Sequence, residues 1–346
     1  MKKILMTLFL GSILCTAASV ARAQDKKDTV GARGLTLTEY ERSKGFTVGD
    51  LDKDSYVKFE NTYILDRNDF GKPYFITGDD GLKKRIDLYK LILKEGRVDL
   101  GTIIFYTTEK GQRYSACLPG FRADAKVWSK YFEDIHAIDK EEKNFVLKLS
   151  YVLSKELGFQ LYRSSAAAQG KDPGKERESG TYGNEICFPG NMQVTLAGGS
   201  KKTLDEVRPG DEILAVDPAT GQTTSVRVKE LTVHEARNYA ITELFLLHAD
   251  EWTTAAGREV RLLSKTLRAT PNHPMVTAGG NKKIGEIAEG EELRCLDERT
   301  GNYLEYTVWK RSESAGGIQK VFNIVAGGGS TFIMNDVMVL QKPLKN

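Results

Sequence analysis

The chain has 346 residues, with 50 basic against 47 acidic side chains, four cysteines and 40% hydrophobic residues. This length is enough for two domains of ordinary size. The composition is that of globular protein, which excludes wholesale disorder, a collagen-like chain, a disulfide-dense miniprotein and a polytopic membrane protein.

The first 23 residues are typical of a secretory signal peptide. Two lysines precede an apolar run from Ile4 to Leu14, and small residues follow up to Ala21-Arg22-Ala23. The run is about half the ~20 apolar residues that a spanning helix needs, so we predict export with cleavage before Gln24. A lipid anchor on Cys15 is a weaker alternative, because a bulky residue precedes it. We therefore expect a periplasmic or extracellular protein with no transmembrane segment.

Cleavage after residue 23 removes three basic residues and no acidic one, which leaves 47 of each sign. Without a net positive field, the attraction that dominates nucleic-acid binding is missing, and we predict no nucleic-acid partner. The remaining cysteines are Cys117, Cys187 and Cys295. An odd number in an oxidising compartment leaves at least one thiol without a partner in its own chain.

Residues 24–163 are predicted to form an α+β domain. Leu82, Ile86, Tyr89 and Leu93 recur at helical spacing, which predicts a helix over 82–93. The charged residues of this domain show no recognisable catalytic set. Aromatic and β-branched clusters predict strands, and apolar periodicity predicts two further helices; the strands are Tyr56–Phe59, Tyr74–Thr77, Thr102–Thr107 and Arg113–Leu118, and the helices are Ala125–His136 and Glu141–Leu157.

Residues 164–186 are small, polar and charged, which is typical of a flexible linker. The chain after them consists of short β-type runs separated by glycines. Residues 202–221 align without gaps with 282–301, with seven identities in twenty positions. This internal repeat predicts two copies of one β-unit packed about a pseudo-twofold axis. The same offset of 80 sets 191–200 opposite 271–280.

Four segments in this region resemble, in order and spacing, the Hint domain shared by Hedgehog C-terminal domains and inteins. They are Cys187-Phe188-Pro189-Gly190, the stretch Leu204–Val216 around a Pro-Gly-Asp turn, Thr270-Pro271-Asn272-His273-Pro274, and the closing segments Val321–Ile324, Thr331–Ile333 and Val337–Val339. The resemblance implies an all-β Hint fold over residues 187–342. It does not extend into 24–163.

The resemblance also implies a self-cleaving reaction in which the chain's own N-terminal segment is the substrate. The Cys187 thiol attacks the carbonyl of Ile186, an N-to-S acyl shift that gives a thioester. By resemblance, His273 protonates the departing amide nitrogen and Thr270 hydrogen-bonds and twists the scissile peptide. An imidazole near its ordinary pKa of ~6.5 can hold or release that proton at neutral pH.

The chain departs from inteins at its end. Inteins close with His-Asn followed by a nucleophile, whereas this sequence reads Leu340-Gln341-Lys342. We therefore expect no full splicing. Water or an external thiol, amine or hydroxyl would resolve the thioester in a single turnover and release the N-terminal passenger. The alternative is an inactive Hint fold that serves as a binding or structural module of a periplasmic or envelope protein.

Each proposed site residue also has a structural explanation. Cys187 can be a buried small hydrophobic residue or half of a disulfide with Cys117 or Cys295, and His273 and Thr270 can be ordinary core and strand residues. Cys295 aligns with Ala215 in the repeat, which favours a core role. His234 lies loosely where Hedgehog proteins carry an aspartate, and His136 and His248 are expected to be surface or core residues.

No cofactor or metal site is predicted. Asp50 to Asp54 resemble the first half of a calcium loop, but the glycine position holds Ser55 and Glu60 falls one position early. An acidic turn is the favoured interpretation.

Overall fold

The structure is a computed structural model that describes residues 33–68, 70–156, 186–217, 220–237, 240–314, 318–328 and 331–341. The described chain divides into two compact units. The N-terminal unit holds residues 33–156 together with 251–260, and the C-terminal unit holds the rest. The predicted signal peptide, and the predicted linker apart from Ile186, lie outside the described residues. No helix in the described ranges combines the length and the apolar character needed to cross a bilayer.

The N-terminal unit is an antiparallel sheet with helices, so the predicted α+β class is confirmed. The long strand β4 is central: β2 and β3 pair along one of its edges, β5 pairs along the other, and β6 lies beyond β5. In chain order the elements are α1 (Leu37–Ser43), β1 (Tyr56–Phe59), β2 (Tyr63–Asp66), β3 (Tyr74–Thr77), β4 (Lys83–Leu93), β5 (Val98–Thr107), β6 (Arg113–Pro119), α2 (Ala125–Glu141) and α3 (Phe145–Glu156).

The predicted helix over 82–93 is wrong, because this stretch is strand β4. Ile86 and Leu88 are buried on one side of the strand, and Tyr89 and Leu91 are buried on the other. A central strand buried on both sides has apolar residues at odd and even positions, and some of them then fall at helical spacing by chance. Hydrogen bonding to β3 along one edge and to β5 along the other makes this stretch a strand and not a helix.

Both predicted helices at the end of this unit are present, but α2 continues past His136 to Glu141, and α3 begins at Phe145 instead of Glu141. Local capping explains their starts. The Asp124 carboxylate accepts the Val127 N–H at 3.0 Å at the start of α2. The Asp139 carboxylate accepts the Val146 N–H at 2.9 Å at the start of α3. Side-chain oxygens of this kind satisfy the free amides of a first helical turn.

The C-terminal unit is made of antiparallel strands, with single 3₁₀ turns at 204–206 and 284–286. One sheet has the order β10-β11-β18-β7, and the other includes β12-β17-β16-β14-β20-β19-β8-β9. The strands are β7 (Phe188–Pro189), β8 (Gln193–Thr195), β9 (Lys201–Thr203), β10 (Glu212–Val216), β11 (Thr223–Arg237), β12 (Ile241–Thr253), β13 (Arg258–Ala269), β14 (Pro274–Thr277), β15 (Gly280–Lys283), β16 (Glu292–Leu296), β17 (Tyr303–Ser314), β18 (Ile318–Ala326), β19 (Thr331–Met334) and β20 (Val337–Leu340). Residues 251–260 of the β12–β13 hairpin belong to the N-terminal unit.

The internal repeat is present in the register of this unit. Glu212 pairs with Arg227 in β10–β11, and Glu292 pairs with Thr307 in β16–β17, which is the same pairing shifted by 80. Gly210 and Gly290 both have positive φ, 100° and 93°, which explains the identity of glycine at this turn. The aligned apolar positions are all buried, and all but Ala215 belong to one core cluster; the pairs are Leu204/Ile284, Val207/Ile287, Ile213/Leu293 and Ala215/Cys295.

Upstream of the repeat the offset is 81, and the predicted extension at 80 is one residue out of register. The Gly190 carbonyl accepts the Asp205 N–H in one copy, and the Pro271 carbonyl accepts the Gly285 N–H in the other. Counted between equivalent paired residues, the β8–β9 hairpin from Gln193 to Thr203 is one residue longer than the β14–β15 hairpin from Pro274 to Lys283. Met192 is therefore the structural equivalent of His273.

Candidate functional site

Cys187 lies at the entry to strand β7, which pairs antiparallel with β18 through Phe188 opposite Phe322. The residue is 0% exposed, and it packs with Ile241 and Val321 in a small apolar cluster. This packing follows from a chain that enters the unit between two β-branched side chains. Cys187 is thus held inside the domain at the first residue predicted for the Hint fold.

The three described cysteines, Cys117, Cys187 and Cys295, form no disulfide, and all are buried. Burial raises the pKa of the Cys117 thiol to about 12, and it also raises the pKa of the Cys295 thiol. Cys295 lies in β16, opposite Leu304 of β17, within the main core. The alternative of a cystine at Cys187 is therefore wrong, and Cys295 has the packing of a core residue.

Thr270 holds both polar backbone groups of Cys187. The Cys187 N–H donates to Thr270 Oγ1 at 3.0 Å. The Cys187 carbonyl accepts the Thr270 N–H at 2.9 Å and the Thr270 hydroxyl at 3.3 Å. Thr270 is itself buried. This one side chain thus contacts the nitrogen of the Ile186–Cys187 bond and fixes the next peptide group.

A tight turn joins Thr270 to His273. The His273 N–H donates to the Thr270 carbonyl at 2.9 Å, and Pro271 stands at the second turn position, where its fixed φ is favoured. The imidazole ring lies against the Phe188 ring, with centroids 4.0 Å apart. The turn therefore directs His273 to the side chain that directly follows Cys187.

His273 is 0% exposed, and burial lowers its pKa to about 3. The Leu340 carbonyl offsets part of this effect, yet neither ring nitrogen has a partner with hydrogen-bond geometry in the described part of the chain. The expectation of an imidazole near its ordinary pKa is therefore wrong, because the ring is removed from water. At neutral pH it is uncharged and retains one proton acceptor.

This burial predicts a pH-dependent stability. Between pH 7 and pH 5 the unfolded imidazole takes up a proton while the folded ring stays neutral, so the free energy of unfolding should fall by about 2 kcal/mol through His273 alone. Urea unfolding at pH 7, 6 and 5 measures this loss. A His273→Gln variant should show a correspondingly shallower pH dependence, whereas His136→Gln, on an exposed face of α2, should keep the wild-type slope. Equal slopes in all three proteins would contradict the assignment.

Gly190 seats the segment that carries Cys187. A Cβ at this position would lie 2.7 Å from the Phe322 ring, so only glycine lets the chain pass β18 this closely. The Gly190 carbonyl accepts the Asp205 N–H, and the Pro189 carbonyl accepts the Met192 N–H. The Pro189-Gly190 pair thus fixes the path of the chain just after Cys187.

The other histidines lie elsewhere. His234 is in β11 opposite Val321 of β18 and is partly exposed. His248 in β12 contacts the Glu305 carbonyl at 2.7 Å and the Asp250 carboxylate at 3.0 Å. His136 is exposed on α2. No described contact joins any of them to Cys187, Thr270 or His273.

Asn323 is a candidate that the sequence analysis missed. Its side chain is 1% exposed, and its Oδ1 has no hydrogen-bond partner within the described ranges. In β18 it shares a face with Val321, which packs on Cys187. An unsatisfied buried amide next to a candidate site calls for a function. The signal was available, since Asn323 is the one polar residue in the apolar run from Val321 to Ala326.

Gln341 follows β20 and is tied to the neighbouring strand. Its Nε2 donates to the Ala326 carbonyl at 3.1 Å. The side-chain nitrogen that would have to attack in a cyclisation is thus committed to a backbone acceptor.

The acidic stretch at 50–54 forms a turn that uses its own carboxylates. Asp50 accepts the Asp52 N–H, and Asp54 accepts the Asp50 N–H, both at 2.9 Å. The described residues contain no cluster of three or more His, Cys, Asp or Glu arranged to hold a metal ion.

The comparison with protein families gives one match: the Hint module matches residues 175–262. A search of the curated proteins gave no significant match.

Solved structures that resemble the chain are inteins and an intein-like domain. The bacterial intein-like domain from Clostridium thermocellum has 22% identity and a TM-score of 0.34, covering 45% of this chain and 99% of its own. The DnaB intein from Synechocystis sp. PCC 6803 has 20% identity and a TM-score of 0.33, with the same coverage. An intein from a hyperthermophile has 19% identity and a TM-score of 0.35, again with coverage of 45% and 99%. None of these TM-scores reaches 0.5. The similarity to Hint domains therefore depends on the match to the Hint module and on the β architecture of this region.

Proposed function

We propose, from the premise that the C-terminal region of this protein is a Hint domain, that it cuts its own chain at the Ile186–Cys187 bond by an N-to-S acyl shift. A Hint domain is a domain of the autoprocessing type and acts on its own chain. The observation that carries the finer proposal is the pair of Thr270 contacts on the N–H and carbonyl of Cys187. Export through the signal peptide, and an N-terminal passenger before the linker, are part of the same proposal.

In the first step the Cys187 sulfur attacks the Ile186 carbonyl carbon, and the carbon–nitrogen bond to Cys187 breaks. The thiol proton ends on that nitrogen, so an amide and a thiol become a thioester and an amine. The reaction needs no cofactor. Thr270 accepts the N–H of the breaking bond and so holds the departing nitrogen in place. Holding reacting groups in one geometry removes much of the entropic barrier to such a step.

His273 serves as the proton carrier. Because its burial lowers its pKa to about 3, the ring cannot arrive as an imidazolium at neutral pH. It instead accepts the thiol proton as the sulfur attacks and passes it to the nitrogen as the bond breaks. One neutral imidazole thus acts as base and then as acid, and the net charge of the buried site does not change.

The thioester is then resolved by water or by an external thiol, amine or hydroxyl. Hydrolysis leaves a carboxylate on Ile186 and restores the Cys187 thiol. Since Cys187 is fully buried, the acceptor needs a local opening of the site to reach the acyl carbon. Full splicing is not part of this proposal, because Gln341 replaces the terminal asparagine of inteins and its amide is bonded to Ala326.

Mass spectrometry under denaturing conditions tests the proposal. The purified full chain is incubated with hydroxylamine, with dithiothreitol or in buffer. We expect a fragment that begins at Cys187, together with a hydroxamate or thioester form of the fragment that ends at Ile186. Cys187→Ala is the control for the nucleophile, and Cys295→Ala is the matched control for a buried thiol elsewhere in the same core. An intact wild-type chain under all conditions would refute self-cleavage.

The burial of Cys187 against Ile241 and Val321 also supports a second candidate, an inactive Hint fold used as a binding or structural module. A sulfur sealed in an apolar cluster is shielded from solution reagents. This candidate predicts that Cys187 reacts with iodoacetamide no faster than Cys295, and that no thioester is trapped. Together these two results would favour it over self-cleavage.

A further inference from the structure

The N-terminal unit is assembled from two stretches of chain that lie on opposite sides of the Ile186–Cys187 bond. One stretch is 33–156, and the other is 251–260, the tip of the β12–β13 hairpin. A cut between Ile186 and Cys187 therefore does not yield this unit as a single chain, because ten of its residues belong to the later fragment.

The tip adds to the edge of the N-terminal sheet. The first residues of β13 lie beside β3, and the Arg258 N–H donates to the Pro73 carbonyl at 2.9 Å. The Lys72 ammonium donates to the Ala255 carbonyl at 2.9 Å. Gly257 is buried here, and a Cβ on it would lie 2.4 Å from the Pro73 oxygen and 2.9 Å from the Phe75 ring. This is strand addition with a close backbone approach that only glycine permits.

Arg258 is the anchor of the tip. Its guanidinium lies 5.0 Å from the centroid of the Tyr74 ring, and it donates to the Tyr74 hydroxyl and to the Glu156 carboxylate. Tyr74 is buried, and only 11% of the Glu156 side chain is exposed. A cation that contacts an aromatic face and a shielded carboxylate is held more firmly than one in a surface ion pair.

The remaining charges of the tip match those around it. Glu251 pairs with Lys155 at 2.7 Å and accepts from the Tyr151 hydroxyl, while Glu259 pairs with Lys83 at 3.0 Å. The two acidic residues of the tip thus pair with lysines of the N-terminal unit, and the arginine of the tip pairs with a glutamate. Such complementarity fixes which segment docks and in which register.

We propose that residues 251–260 are an intramolecular docking strand for the N-terminal unit, so that cleavage yields a two-chain complex and not a freed N-terminal domain. The proposal rests on the proposed function only for the place of the cut. Departure of the N-terminal fragment then needs a separate step that displaces the tip from the edge of β3.

The test makes the cut without the self-cleaving chemistry. A protease recognition sequence is inserted between Gly174 and Lys175 of the full chain in a Cys187→Ala background, and the cut protein is analysed by size-exclusion chromatography with light scattering. We expect both fragments in one peak of unchanged mass at micromolar concentration. Failure of self-cleavage leaves this result untouched. Two separated peaks from the cut protein would overturn the docking strand.

Variants of the tip locate the association. Gly257→Val should weaken it about tenfold or more, because the new side chain meets the Pro73 carbonyl. Gly279→Val is the matched control in the β14–β15 turn, where a Cβ meets nothing nearer than 3.8 Å, and should leave one peak. Arg258→Met is a second, milder variant that removes the charge without adding a clash. Circular dichroism of the uncut variants checks that each one folds. Wild-type association in Gly257→Val and Arg258→Met would overturn the assignment to the tip.

Discussion

Replacing His273 with glutamine is expected to slow thioester formation by about 10²–10⁴-fold, the usual contribution of a positioned acid–base group. Glutamine fills a similar volume but cannot accept the thiol proton and pass it on. The rate is measured as the appearance of hydroxylamine-trapped Ile186 ends in timed mass spectra. His248→Gln is the matched control, because His248 belongs to the same unit but contacts a backbone carbonyl and a carboxylate outside the site.

The pH profile separates a proton carrier from a merely structural histidine. A ring with a pKa of about 3 does not titrate between pH 6 and pH 8, so the wild-type rate should not decline over this range. An imidazolium donor with the ordinary pKa of ~6.5 would instead lose nearly tenfold for each pH unit above that value. A rate that falls in this way, or a His273→Gln variant as fast as His248→Gln, would contradict the neutral carrier.

The sequence predicted the C-terminal architecture well because its signals are local and repeated. The glycines at 210 and 290 mark the same turn, and the aligned apolar positions are all buried. Upstream of the repeat, the predicted offset of 80 is one residue too small. The two hairpins differ in length there, and the pattern of apolar residues does not indicate this difference. Register within a hairpin depends on the length and conformation of its loop, which the apolar pattern of the strands does not determine.

Two features depend on distant parts of the chain and escaped prediction. The residues of β4 have apolar side chains at helical spacing, yet they form a strand because β2, β3 and β5 pair with its two edges. These partners come from separate segments of the chain. The depressed pKa of His273 depends on full burial beneath Phe188, which the four residues from Thr270 to His273 do not encode. Residue type identified the candidate site, whereas its protonation state came from packing.

Replacing Thr270 with valine is expected to slow the acyl shift by about 10²-fold and to lower the free energy of unfolding by about 1–3 kcal/mol. Valine keeps the shape of threonine but leaves the buried Cys187 N–H without the acceptor that it has in the wild type at 3.0 Å. The departing nitrogen then loses the group that holds it. Trapping by hydroxylamine gives the rate, and urea unfolding gives the stability.

The conservative variants decide whether the hydroxyl or the packing of Thr270 matters. Thr270→Ser keeps the oxygen and should recover the rate to within a few-fold, while its lost methyl still costs stability. Thr277→Val removes a comparable hydroxyl, which donates to the Gly280 carbonyl at 2.7 Å one turn further along the chain. It should lower stability without slowing the acyl shift. Thr270→Val and Thr277→Val remove the same group from neighbouring β-turn positions. A loss of rate in both variants would therefore mean that the substitutions weaken the fold. A loss of rate confined to Thr270→Val would mean that Thr270 holds the Cys187 amide for reaction.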